Sequence, residues 1–211
     1  MTSSWTRWFR SSPPPHEAEG SAGSLDEQLA RLEREATEAT YGVMGTPLNR
    51  AGDLCMKAGD RKRALSFYGR AIDAFLEDQQ PEAARGVAQK LIRLHPKAVR
   101  TLCTLTWLDV GSGHRADALA NLERYVEAAM GGGNEELARE QIVAMGRLSV
   151  DRTFLRAAAA ALARLDDPEG AAELEERAER PQSDADPDDL RLRCFAAAVA
   201  SNELRRDEDA A

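Results

Sequence analysis

From residue 48 onward, helix-forming stretches of ten to nineteen residues follow one another, and every interruption between them carries Gly, Pro, Asp or Asn. The interruptions are only two to six residues long, the longest being the polar linker at 182–187. Loops that short let a helix do little except turn back beside its neighbour. No stretch alternates apolar and polar residues as a half-buried strand does. The fold class expected is therefore all-α.

The stretches read as helix are 48–57, 62–77, 81–94, 98–110, 116–130, 135–148, 152–165, 168–180 and 188–206. Gly59, the Gly111–Gly113 turn and the triple glycine at 131–133 stop helices, and His95-Pro96 ends another. Pro81 and Pro168 suit the first position of a helix, and Asp167 and Asp186 suit caps. An earlier helix opens at Ser24, with Glu27 three residues on as a capping box. Its apolar residues Leu25, Leu29, Leu32, Ala36 and Ala39 form one stripe before 41–47 breaks it. The triple glycine ahead of a helix start also suits an anion cradle, but lacks the Lys and Ser/Thr of a phosphate loop.

Aromatics are only 5% of the chain, so Ala and Leu carry most of its 43% apolar content, which suits closely packed helices. No run reaches the ~20 apolar residues that cross a bilayer, and none resembles a secretory leader, so a cytoplasmic protein is expected. The three cysteines are far apart, and the three histidines lie in linkers or turns, so neither a metal site nor a cofactor site is expected. No phosphate loop, nucleophile elbow or zinc-helix motif occurs, and no enzymatic activity is expected.

Charge is unevenly placed. Residues 1–45 carry 4 basic and 7 acidic groups, 46–134 carry 13 and 10, and 135–211 carry 11 and 19. An acidic total of −8, with a centre at only +3, argues against nucleic acid as a partner.

Spacings of 34 residues relate Gln79 to Gly113, Ala84 to Ala118, Ala88 to Leu122 and Leu91 to Tyr125. Gly52, Gly59, Ala64, Tyr68 and Ala71 add a second set of small and aromatic residues, offset by 20 from the next. In this pattern and order the segment 46–131 resembles the tetratricopeptide repeat family. Its third unit keeps Leu102, Leu105, Gly113, Ala118, Leu122 and Tyr125, with Thr106 and Met130 at places the family gives to glycine and proline. The resemblance implies a right-handed α-solenoid of helical hairpins with extra N- and C-terminal helices, 132–182 being either further degenerate repeats or a helical cap. Residues 183–211 read as linker, last helix and acidic end.

Such a solenoid implies a groove that grips an extended or helical protein ligand. By register, its groove-facing residues here are Asn49, Asp53, Met56 and Lys57 in the first unit, and Arg100, Cys103 and Trp107 in the third. Family members that clamp a peptide carboxylate use Lys and Asn in the first unit; Asn49 and Asp53 stand there, and Asp53 repels a carboxylate. Trp107, amid Leu105, Leu108 and Val110, fits either a groove contact or the core.

Residues 1–24 read as a tail, with a triproline at 13–15 and Gly/Ser at 20–23. Trp5, Trp8 and Phe9 share one helical face, with Arg7 and Arg10 alongside. That pattern fits a docking peptide for a protein partner, packing on the chain's own helices, or a brief interfacial contact with a membrane. The expected function is a non-enzymatic adaptor or scaffold, a subunit of a larger assembly. The alternative is a spacer subunit that forms a homo-oligomer through the helix at 25–39.

Overall fold

A computed structural model describes residues 23–39, 43–180 and 186–204. Among these residues there are ten α-helices and no strand: α1 Leu25–Glu38, α2 Gly45–Lys57, α3 Arg61–Glu77, α4 Pro81–Leu94, α5 Val99–Gly111, α6 Arg115–Gly132, α7 Glu135–Leu148, α8 Arg152–Arg164, α9 Pro168–Glu179 and α10 Pro187–Leu204. No helix among them is long and apolar enough to cross a membrane.

Side-chain caps start several of these helices. Ser24 Oγ accepts from the Glu27 N–H at 3.3 Å, while Glu27 Oε2 accepts from the Ser24 N–H at 2.9 Å. Asp60, Asp151 and Asp167 likewise accept backbone N–H groups at the starts of α3, α8 and α9. Each removes an orphan donor from a helix end.

Five turns close on one pattern. Gly59, Gln79, Gly113, Gly133 and Asp166 all have positive φ, between 56° and 78°. The next residue's N–H then bonds back across the turn, Asp60 to Cys55, Gln80 to Phe75, His114 to Asp109, Asn134 to Ala129 and Asp167 to Leu162. Helix stops of this kind satisfy the last free carbonyls. Gly131 and Gly132, expected as part of a stop, instead continue α6, and only Gly133 turns left-handed. α2 begins at Gly45, ahead of the expected start, because Pro47 is tolerated within a first turn.

The helix starts show a longer period than the 34 residues read from the sequence. Gly45 and Val99, Arg61 and Arg115, and Pro81 and Glu135 are each 54 residues apart. Val99 to Arg152 and Arg115 to Pro168 are 53. The recurring unit is a set of three helices; the spacing of 20 runs from α3 to α4 within a set, and that of 34 from α4 to α6 of the next, the two together making 54. Gly52 shows why the sets differ in sequence: a Cβ there would lie 2.5 Å from the Tyr68 ring. Fifty-four residues on stand Thr106 and Leu122, larger where the glycine was and smaller where the tyrosine was.

Packing follows the sets until the last helix. α2 packs on α3, α5 on α6 and α8 on α9, with α4 against α3 and α5, and α7 against α6 and α8. α1 lays Leu29, Leu32 and Ala36 into the core beside α2, and exposed ion pairs Arg63–Asp26 and Arg70–Glu33 tie it to α3. α10 instead crosses back to α5, with further contacts on α7 and α3. α5 is thereby covered on every side, and Thr101 through Val110 are all buried.

Candidate protein-binding site

α5 carries Arg100, Cys103, Thr104, Trp107 and Gly111 at spacings of three and four, which places them on one face of the helix. α10 carries Cys194, Ala198, Ser201 and Asn202 in the same way, and all four are buried. The two stripes meet in antiparallel order. At one end, a Cβ on Gly111 would lie 2.7 Å from the Cys194 Cβ, so the backbones approach as closely as glycine allows. At the other end, Arg100 Nε donates to the Asn202 carbonyl at 3.2 Å.

Between these ends polar groups pair across the contact, alongside Leu190, Phe195 and Val199 of α10, which pack against the core. Cys103 Sγ lies 3.3 Å from Ser201 Oγ. The Thr104 hydroxyl is shared between the Arg100 carbonyl at 3.1 Å and Asn202 Oδ1 at 3.4 Å. Asn202 Nδ2 donates to Asp73 Oδ1 of α3 at 2.7 Å, and Arg100 Nη2 donates to the same oxygen at 2.7 Å. Asn202 is thus recognised at its amide nitrogen, its amide oxygen and its backbone carbonyl. Burial pushes the Cys194 thiol up to about 12, so it remains neutral and packs as a small apolar group.

Trp107 lies four residues from both Cys103 and Gly111, on the face that α10 covers. It is 1% exposed, and its indole N–H donates to Gln141 Oε1 of α7 at 3.0 Å. Arg100, Cys103 and Trp107 are therefore brought together, under a helix of the same chain. Beyond Asn202 the surface opens into a cavity of about 360 Å³ lined by Ser66, Arg70, Asp73, His95 and Arg100.

The first-unit residues form a separate group on α2. Asn49 Oδ1 and Asp53 Oδ1 accept from Lys90 Nζ of α4 at 2.9 and 2.8 Å, and the Tyr68 hydroxyl donates to Asp53 Oδ1 at 2.6 Å. Lys90 also sits 5.5 Å from the centre of the Tyr68 ring. Burial alone raises the Asp53 carboxyl, but hydrogen bonds from Lys90 and Tyr68 outweigh it and hold the group below its ordinary value. Burial, with the Asp53 carboxylate beside it, raises the Tyr68 phenol. Asn49 and Asp53 thus brace α2 against α3 and α4, while Met56 and Lys57 are exposed. Trp5, Arg7, Trp8, Phe9 and Arg10 lie outside the described residues.

Asp73, Lys90, Gln141, Ser201 and Asn202 had no signal in the sequence. Asn202 is 129 residues from Asp73, and no local spacing links them. Among the described residues, no three His, Cys, Asp or Glu side chains gather where a metal ion could be shared. Neither protein-family models, nor curated proteins, nor solved structures match this chain.

Proposed function

We propose that this chain is a non-enzymatic scaffold, an α-solenoid of tetratricopeptide-like helices that holds a protein partner at the open surface beside the seat of α10. The observation that carries the reading is the seat of α10. There the Ser201 and Asn202 side chains of α10 meet Cys103 and Thr104, and the Asn202 carbonyl accepts from Arg100, which supports reading this face as one that holds a helix. The reading extends to a subunit of a larger assembly, with the aromatic tail around Trp5, Trp8 and Phe9 as a second docking element. A spacer pairing through α1 has less support, because Leu29, Leu32 and Ala36 are already covered within the chain.

The experiment is site-specific photo-crosslinking in the native cell. Ser66 is exposed at the rim of the cavity beside Arg100 and Asn202, and Arg156 is exposed on α8. A crosslinker at Ser66 should capture a discrete protein partner, and one at Arg156 should not. Equal capture at both positions, or none at Ser66, would defeat the reading.

A further inference from the structure

We infer that the cavity between α4 and α6 is a second binding site, one that takes a glutamate-bearing segment of a partner protein. It lies apart from the α10 seat and goes beyond the function proposed above.

The cavity measures about 390 Å³. α4 contributes Gln89, Ile92 and Arg93, and α6 contributes Asp117, Asn121 and Arg124. Spacings of three and four keep each set on one face of its helix. Ile92 and Leu105 of α5, only 4% and 1% exposed, supply the apolar part of the lining.

Pairing sets this cavity apart. Arginines around it are committed: Arg85 bonds Asp109 and Asp117, Arg100 bonds Asp73, and Arg164 bonds Glu123. Arg93 and Arg124 have no hydrogen bond or ion pair among the described residues, and neither has Gln89. Arg124 and Gln89 are half-buried, where a polar group without a partner costs free energy. Asp117, the one acid of the lining, is already held by Arg85 at 2.6 Å. Two uncommitted guanidiniums thus share one cavity.

Chemistry narrows the ligand. A guanidinium presents a fork of donors that matches the two oxygens of a carboxylate. The cavity also holds acceptors that a bare anion cannot use. Asn121 Nδ2 is spent on Asp109 at 2.8 Å, which leaves Asn121 Oδ1, and Gln89 Oε1 is free among the described residues. Those oxygens need N–H donors, which a peptide backbone supplies. Ile92 and Leu105 suit the methylenes of a glutamate stem, which a phosphate lacks.

The test uses the full chain and fluorescein-labelled hexaglutamate, read by fluorescence polarisation. Wild type should bind it, and should bind hexaglutamine at least about tenfold more weakly. Arg93→Gln and Arg124→Gln should each weaken hexaglutamate about tenfold, and Arg124→Lys at least about threefold, because the fork is lost. Neither glutamine variant should move the melting temperature by more than about 2 °C, since neither arginine is bonded within the fold. Arg34→Gln removes an exposed, equally unpaired arginine of α1 and should leave binding unchanged. An equal loss in Arg34→Gln would show diffuse attraction, and displacement by inorganic phosphate at matched ionic strength would show a simple anion site. Either result, or a wild type that does not bind hexaglutamate, would overturn the assignment. Crosslinking at Ser66 reports on the other cavity, so this site and the scaffold reading fail separately.

Discussion

The indole N–H of Trp107 donates to Oε1 of Gln141 at 3.0 Å, and this bond ties α5 to α7 inside the protein. Burial makes Trp107 a structural residue. Trp107→Ala should cost about 3–5 kcal/mol in urea unfolding followed by circular dichroism. Gln141→Leu should cost about 1–3 kcal/mol, because it leaves a buried N–H unpaired. A Trp107→Ala chain within about 1 kcal/mol of wild type would contradict this packing.

Two glycines should respond to alanine with opposite signs. At Gly52 a Cβ would meet the Tyr68 ring at 2.5 Å, so Gly52→Ala should destabilise by about 1–3 kcal/mol. At Gly86, in the middle of α4, nothing lies within 4 Å of the added atom. Gly86→Ala should stabilise by about 0.5–1 kcal/mol through helix propensity. The melting temperatures should move in opposite directions, and a shared direction would show that the α2–α3 crossing is not this tight.

The Asp109 side chain is fully buried, and it accepts from Arg85 Nε at 2.6 Å and Asn121 Nδ2 at 2.8 Å. Removing the arginine strands that carboxylate, so Arg85→Ala should cost about 3–5 kcal/mol. The Arg50–Glu35 pair, each side chain half exposed, supplies the control, and Arg50→Ala should cost about 1 kcal/mol at most. Comparable losses at the two sites in denaturant titrations would remove Asp109 from the interior.

Acid should weaken the fold in a defined range. Burial raises the Asp53 and Asp151 carboxyls, but Lys90 and Tyr68 in one case, and the Phe154 N–H, Arg115 and the Thr153 N–H in the other, bring both below their ordinary values. Glu173 is lowered chiefly by Arg147. Each group holds its proton less tightly folded than unfolded, so the unfolded chain takes up protons first as the pH falls. Their contribution is fully present above the unfolded value near about 4, and is lost as the pH drops through the folded values. The urea midpoint should stay level from about pH 7 to 5 and decline below about 4, less steeply in Asp53→Asn. A midpoint that rises on acidification below pH 4 would refute this assignment.

Local interactions made the helices readable. The Ser24–Glu27 capping box, Pro81 and Pro168 at helix starts and the left-handed turns at Gly59 and Gly113 act within a few residues, so sequence spacing carries them directly. The left-handed turns at Gln79 and Asp166 were less visible, because neither residue type announces positive φ as glycine does. The three-helix period stayed hidden for a related reason. Substitutions such as Gly52 and Tyr68 to Thr106 and Leu122 preserve packed volume while erasing residue identity.

By itself the sequence determined an all-helical chain, the approximate ends of its helices and the shared face of Arg100, Cys103 and Trp107, because caps, turns and helical period are short-range. What covers that face was decided only by the tertiary structure. Asn202 meets Arg100 across 102 residues and Asp73 across 129, and Gln141 meets Trp107 across 34. α10 has a mixed surface whose small and polar stripe fits no local template. It becomes a recognisable element only where Gly111, Thr104 and Asp73 are held together to receive it.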